Sequence, residues 1–238
     1  MKYFDLHVHS AFSSGESSLE DLASMAESLN YSGFCFSAYY QNEDQIKRLQ
    51  TEIQNLKEKT DLEIFLGFEA RNQKELEILR QKRKRFDLLL VHGGDLKLNR
   101  LACETPEVDI LTHPEFERSD SGLNHVLMKS AAKNNVAIEI NFREVLQSNG
   151  KSRSLILKNI QENIKLAKKF KTPLVICSGA VSVWEMKDPQ ILISFGNQLG
   201  MNFEDAKKTV SKTPEKILNE IKERKGGDWI MPGVKVIK

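Results

Sequence analysis

The chain has 238 residues, of which 40% are apolar and 29% charged, and its formal net charge is +2. That composition is ordinary for a folded globular protein with a full core. It excludes a bilayer-spanning chain, because no apolar run approaches the ~20 residues required, and the N-terminus lacks the basic-then-apolar layout of a secretory signal; a cytoplasmic protein without a membrane partner is expected.

The opening strand, expected near 2–9, reads Phe4-Asp5-Leu6-His7-Val8-His9. Alternation puts Asp5, His7 and His9 on one face and Phe4, Leu6 and Val8 on the other. Two imidazoles and a carboxylate at a strand end are the donors that Zn²⁺ or Mn²⁺ takes. A first helix follows, with the capping signature Ser17-Ser18-Leu19-Glu20 and apolar residues at Leu19, Leu22, Ala23, Ala26 and Leu29, closing before Gly33. Further dense apolar runs predict strands near 33–39, 62–68, 86–91, 108–112, 136–141 and 173–178, with helical spacing over 43–59, 72–83, 121–134 and 153–170. Cys35, Cys103 and Cys177 are few, odd in number and set mostly in apolar runs, so buried thiols are expected in place of disulfides or a Cys-x-x-Cys metal site.

Strand and helix alternating seven times predict an α/β fold: a TIM-like (β/α) barrel, seven-stranded, as one domain over 1–238. No Gly-x-Gly-x-x-Gly follows the first strand, which disfavours a dinucleotide-binding sheet. After residue 188 three short helices are expected, a C-terminal extension over about 189–225, and the last residues "WIMPGVKVIK" read as a short extended tail. These helices could cover the barrel or bind a partner protein. Trp184 and Trp229 fit either contact residues or ordinary packing, with packing the commoner outcome, and Tyr39 and Tyr40 are expected to fill space near the second strand end.

Charge is uneven. Between Asn141 and Lys171 lie eight Lys or Arg against Glu144 and Glu162, and Lys82-Arg83-Lys84-Arg85 forms a second cluster. A localised polyanion contact fits such clusters, as does a solvated helix face.

In a parallel barrel, reactive groups gather at the carboxyl ends of the strands. Those ends carry His7, His9, Glu69, His92, His113 and Glu139, so four of the five histidines stand there and only His125 lies in a helical run. The pattern resembles the PHP family of metal-dependent phosphoesterases, distorted seven-stranded barrels holding up to three metals. His7 and His9 match that family's first motif, and Glu69 and His113 match later ligand-bearing strand ends. Two ligand pairs are missing: the second strand lacks Asp-His, reading "GFCFSAYY", and the last lacks Asp-x-His, reading Ser178-Gly179-Ala180. The expectation is therefore that His7, His9, Glu69, His113 and Glu139 are vestigial, hydrogen-bonded groups lining the mouth, with no metal and no catalytic residue in this chain.

The stretch Ala137 to Ala180 resembles a second and more specific family, protein component 3 of archaeal ribonuclease P, related to the thirty-kilodalton subunit of the eukaryotic enzyme. The resemblance rests on Glu-Ile-Asn-Phe at a strand end, Arg143, a basic loop Lys151-Ser152-Arg153, the helix "LILKNIQENIKLAKKF" and a strand closing in Ser-Gly-Ala. "FDLHVHS", "DILTHPE", "TPEKIL" and "PGVKVI" extend it to nearly the whole chain. It implies a subunit of the ribonucleoprotein that removes the 5′ leader from precursor tRNA. The RNA then carries catalysis, Mg²⁺ serves that RNA, and a small protein subunit pairs with this one in a heterotetramer. The RNA-binding residues expected are Arg143, Lys151, Arg153 and Lys158, in the loop after the sixth strand and the start of the next helix, facing the mouth with His113. Arg71, Arg85, Lys97 and Arg100, following the third and fourth strands, extend the surface. A stand-alone PHP-type phosphoesterase is the competing reading; it should not lack both ligands at Ser178-Gly179-Ala180.

Overall fold

The computed structural model describes residues 1–226, together with the backbone of 229–231 and 234–235. Seven strands, β1 (Phe4–Val8), β2 (Gly33–Ala38), β3 (Glu63–Ala70), β4 (Leu88–His92), β5 (Ile110–Thr112), β6 (Ala137–Asn141) and β7 (Leu174–Cys177), pair in chain order and in parallel. A bridge between Val8 and Ala180, with the His9 amide donating to the Ala180 carbonyl at 2.8 Å, joins the last strand end to the first. The sheet is thus a TIM-like barrel, as its alternating pattern predicts.

Helices α1 (Leu19–Ser28), α2 (Glu43–Lys57), α3 (Gln73–Gln81), α4 (Leu96–Glu104), α5 (His125–Asn134), α6 (Phe142–Gln147) and α7 (Gly150–Phe170) connect successive strands. Most start on an Asx or Ser cap: Ser18, Asn42, Asn72, Asp95, Asn124 and Asn141 each accept from a first-turn amide. In α1 the cap is Ser18 and its partner is Asp21, whose carboxylate takes the Ser18 hydroxyl at 2.7 Å. The capping box therefore sits one residue later than Ser17-Glu20.

Sequence periodicity does not predict α4 or α6. Asn99 is fully buried on the inner face of α4, where it donates to the carbonyls of Pro114 and Gly122, so a polar residue interrupts the apolar period. The six residues of α6 are too few to show one. The segment expected as a basic loop at Lys151-Ser152-Arg153 is the first turn of α7.

The face alternation expected in β1 holds only in part, because its register with β2 shifts between Asp5 and Val8. Phe4 and Leu6 pack in the barrel interior with Cys35, Leu88, Leu90 and Cys177, whereas Val8 joins the outer layer between sheet and helices. All three cysteines are buried free thiols, as their apolar settings predict.

The chain continues as α8 (Pro189–Gln198), α9 (Phe203–Thr209) and α10 (Lys212–Lys225). Ile217, Leu218 and Ile221 of α10 insert among Phe4, Phe65, Leu88 and Val175, closing the amino-terminal end of the barrel. The Phe4 amide donates to the Val210 carbonyl at 3.0 Å beside that plug. Of the expected tail, Trp229–Met231 and Val234–Lys235 form an antiparallel pair, and the Trp229 side chain lies outside the described residues. Among the described residues no helix is long and apolar enough to cross a membrane.

Candidate functional site at the barrel mouth

Because one end is plugged, buried polar chemistry collects at the other, where the carboxyl ends of β1, β3, β4, β5 and β6 converge. His7, Glu69 and Glu139 are fully or almost fully buried, and His9 and His113 nearly so. The His7 Nδ1 donates to Glu139 Oε1 at 2.8 Å, and its Nε2 faces His9 Nε2 at 3.0 Å. Glu69 Oε1 accepts from the Thr112 hydroxyl at 2.6 Å and meets His92 Nδ1 at 3.2 Å. Glu69 Oε2 stands 3.8 Å from both His7 Nε2 and His9 Nε2 and has no hydrogen-bond partner among the described residues. His113 adopts a positive φ of 41°, which a side chain rarely takes, and its Nδ1 lies 3.3 Å from Glu144 Oε1.

Charge in this cluster follows from burial and partners. Burial alone would discharge His7, but the Glu139 and Glu69 carboxylates outweigh it and raise its pKa. The same imidazolium holds Glu69 and Glu139 below the usual carboxylate range in spite of their burial. His9 is pushed down to about 3 by burial and by the neighbouring His7 charge, so it is neutral at physiological pH. Asp5 accepts from the Ser178 amide at 3.2 Å, and burial lifts its carboxyl to about 6.

Where the PHP pattern has further ligands, this chain carries other residues. Gly179 has φ +65°, and a Cβ there would come within 2.4 Å of the Asn141 amide, so the β6 and β7 ends meet too tightly for a larger group. Ser178 serves its own turn by accepting from the Ala180 amide at 3.1 Å. At the β2 end, the Tyr39 ring lies 5.6 Å from that of His9 and fills space there. Tyr40 turns away to pack on Phe68.

The cations expected around the mouth are differently placed. Arg143 lies in α6, not in a loop, and pairs with Glu185 at 2.9 Å. Arg71 follows β3, pairs with Glu75 at 2.9 Å and stacks over Tyr39. Arg85 follows β3 at the far end of its connection, in the 3₁₀ turn between α3 and β4, and pairs with Glu43. Arg100 pairs with Glu104 along α4. Arg153 reaches back to the Ser148 carbonyl, while Lys97, Lys151 and Lys158 are exposed and ion-pair with nothing among the described residues. The basic stripe runs down all of α7, so Lys165, Lys168, Lys169 and Lys171 sit two or more turns below the rim.

Trp184, for which packing is the commoner outcome, is 81% exposed. It rides on a 3₁₀ turn, Val183–Glu185, whose backbone is pinned by the Ser17 hydroxyl accepting from the Val183 amide at 3.1 Å and by Glu185 accepting from the Val181 amide at 3.0 Å. Glu185 also accepts from Gln147, tying this turn to the end of α6. A cleft of about 440 Å³ opens nearby, lined by Arg118, Glu144, Gln147, Ser148 and Ser152. A larger one, about 990 Å³, lies at the plugged end, where most of the lining cations are paired: Arg83 and Arg224 with Asp109, Arg80 with Glu107 and Lys225 with Asp87.

Comparison with known proteins agrees with this architecture. The ribonuclease P protein component 3 of Methanosarcina mazei is 36% identical over 240 aligned residues, covering 100% of this chain and 96% of the relative. That of Methanothermobacter thermautotrophicus is 33% identical, covering 92% and 90%. A chain in a cryo-EM structure of archaeal ribonuclease P with mature tRNA superposes with a TM-score of 0.82 at 30% identity, covering 98% of each chain. A Xaa-Pro dipeptidase superposes over 93% of this chain and 76% of its own with a TM-score of 0.62 at 10% identity, a likeness of fold alone. The profile of the family described as RNase P subunit p30 matches residues 2–226, and the chain belongs to that family.

Proposed function

We propose that this chain is the p30-type protein subunit of a cytoplasmic ribonuclease P, the ribonucleoprotein that removes the 5′ leader from precursor tRNA. It binds and steadies the catalytic RNA, Mg²⁺ serves that RNA, and a small protein subunit pairs with this one in a heterotetramer. The observation that carries the reading is the likeness to ribonuclease P protein component 3 over the full length of the chain. The surface is consistent with it. Lys151, Arg153 and Lys158 project from α7 beside the mouth without an acidic partner, and counterion release favours such unpaired cations as phosphate contacts. Trp184 offers a flat, held ring on which an unpaired base can stack.

The phosphoesterase alternative is weaker, because Ser178 and Ala180 stand where the last ligand pair of a PHP site would be. Reconstitution tests the proposal. The catalytic RNA and the other protein subunits are assembled with and without this chain, and precursor tRNA cleavage is measured at fixed Mg²⁺. Loss of activity on omission, restored by adding the chain, is the expected result. Equal cleavage without it, or cleavage of phosphodiesters by the chain alone, overturns the reading.

A further inference from the structure

Three ligand atoms converge inside the mouth from two strands and the turn after one of them: His7 Nε2, His9 Nε2 and Glu69 Oε2, separated by 3.0, 3.8 and 3.8 Å. A triangle with those sides has its equidistant point about 2.1 Å from each corner, the bond length that Zn²⁺ makes to imidazole nitrogen and carboxylate oxygen. We propose that these three atoms hold a single divalent ion of the zinc class, which ties the end of β1 to the end of β3.

Two other groupings in the mouth are geometrically near enough to suggest ligation, His7–His113–Glu139 and Glu69–His92–His113. Hydrogen bonding separates them from the first. Glu139 is spent on His7 Nδ1 and on the His113 amide at 3.3 Å, and Glu69 Oε1 is spent on Thr112 and His92. Glu69 Oε2 is the carboxylate oxygen left bare in this cluster, and a buried anionic oxygen without a partner is costly. A proton shared between His7 and His9 would satisfy their 3.0 Å contact but would still leave that oxygen unserved.

Glu139 completes the arrangement by taking the Nδ1 proton of His7, which leaves Nε2 as the atom turned toward His9 and Glu69. A carboxylate behind a ligating imidazole fixes its tautomer and orientation in just this way. Two imidazoles with one carboxylate favour Zn²⁺ over Mg²⁺ or Ca²⁺, which prefer all-oxygen sites. Sequence alone leads to the expectation that these groups are vestigial; on this geometry His7, His9 and Glu69 keep a ligating role.

This inference does not rest on the ribonuclease P reading, and its test needs no RNA. The full chain is purified without chelator, its metal content measured, then stripped and titrated with ZnCl₂ and MnCl₂ by calorimetry, with the thermal midpoint followed in parallel. One Zn²⁺ per chain, saturable binding and a rise of several degrees in midpoint are expected. Glu69→Gln and His9→Gln should each weaken binding by at least 100-fold, while Glu139→Gln, which acts through His7, should cost 10- to 100-fold and keep the one-to-one stoichiometry. Co²⁺ in the site should give the visible absorption of a four-coordinate ion. If Glu69→Gln does not fold, His9→Gln at the rim decides alone. Metal below a tenth of an equivalent with no saturable heat overturns the proposal, as does Zn²⁺ binding that His9→Gln leaves unchanged.

Discussion

Glu139 on β6 accepts the Nδ1 proton of His7 on β1 at 2.8 Å, with both side chains wholly enclosed by the barrel. The pair ties β1 to β6 past the intervening β7, and removing one partner leaves the other buried and uncompensated. Glu139→Gln keeps a hydrogen bond but loses the charge, so a loss of about 2 kcal/mol is expected, and Glu139→Ala should lose more. Urea unfolding followed by circular dichroism measures both; an unchanged midpoint for Glu139→Ala would show that the pair contributes nothing.

Glu115 gives the chain a pH signature. It is buried beside Asn163, whose amide reaches it at 3.3 Å, and burial pushes its carboxyl from 4.5 up to about 8. Below pH 4.5 it is protonated in both states and its contribution is fully present. Between 4.5 and 8 the folded chain keeps a proton that the unfolded chain releases, so stability falls as pH rises, by up to roughly 1.4 kcal/mol per unit. Glu115→Gln should flatten that slope and gain most near pH 8. Unfolding free energies of both proteins at pH 5, 6.5 and 8 provide the check, and parallel curves would refute it.

The cations divide into two groups with different expected effects on RNA. Lys151 and Lys158 have no carboxylate to leave, so charge removal at each should lower the salt slope of RNA binding by about one unit. Arg100 and Arg143 are already held by Glu104 and Glu185 and should change the slope less. Filter binding of the catalytic RNA across a salt series resolves the ordering, which a reversed result would discard.

Trp184→Ala should leave the unfolding midpoint unchanged, since the ring covers almost nothing, yet weaken RNA binding by about 1–3 kcal/mol if a base stacks there. Quenching of Trp184 emission by RNA in a Trp229→Phe background gives a direct reading. Quenching by the small protein subunit alone would assign the ring to a protein interface.

Leu218→Ala opens the plug at the other end of the barrel and should cost about 2–4 kcal/mol without altering RNA affinity at saturating protein. Thermal unfolding and binding measured on the same preparation separate the two effects.

The barrel was legible because its strands are buried on both faces and read as dense apolar runs, and because chemistry-bearing residues sit at their carboxyl ends. What escaped has specific causes. Buried Asn99 broke the period of α4, and six residues were too few to reveal α6. The carboxylates that hold Arg85 and Arg143, Glu43 and Glu185, each lie 42 residues away, beyond any local pattern. The exposure of Trp184 depends on a turn pinned from Ser17, on the far side of the chain. His92 was visible as a strand end, but its place beside Glu69 became apparent only once the barrel closed.

The α10 plug has a consequence for synthesis. Phe4, Phe65 and Leu88 are covered by residues of α10, and β1 receives its Val210 bond from a segment about two hundred residues downstream. While the ribosome still holds that segment, the nascent barrel has an uncovered apolar floor and is a natural client for chaperones. A message cut short before α10 would yield a chain with that floor permanently open, so α10 must emerge before the barrel is fit for assembly.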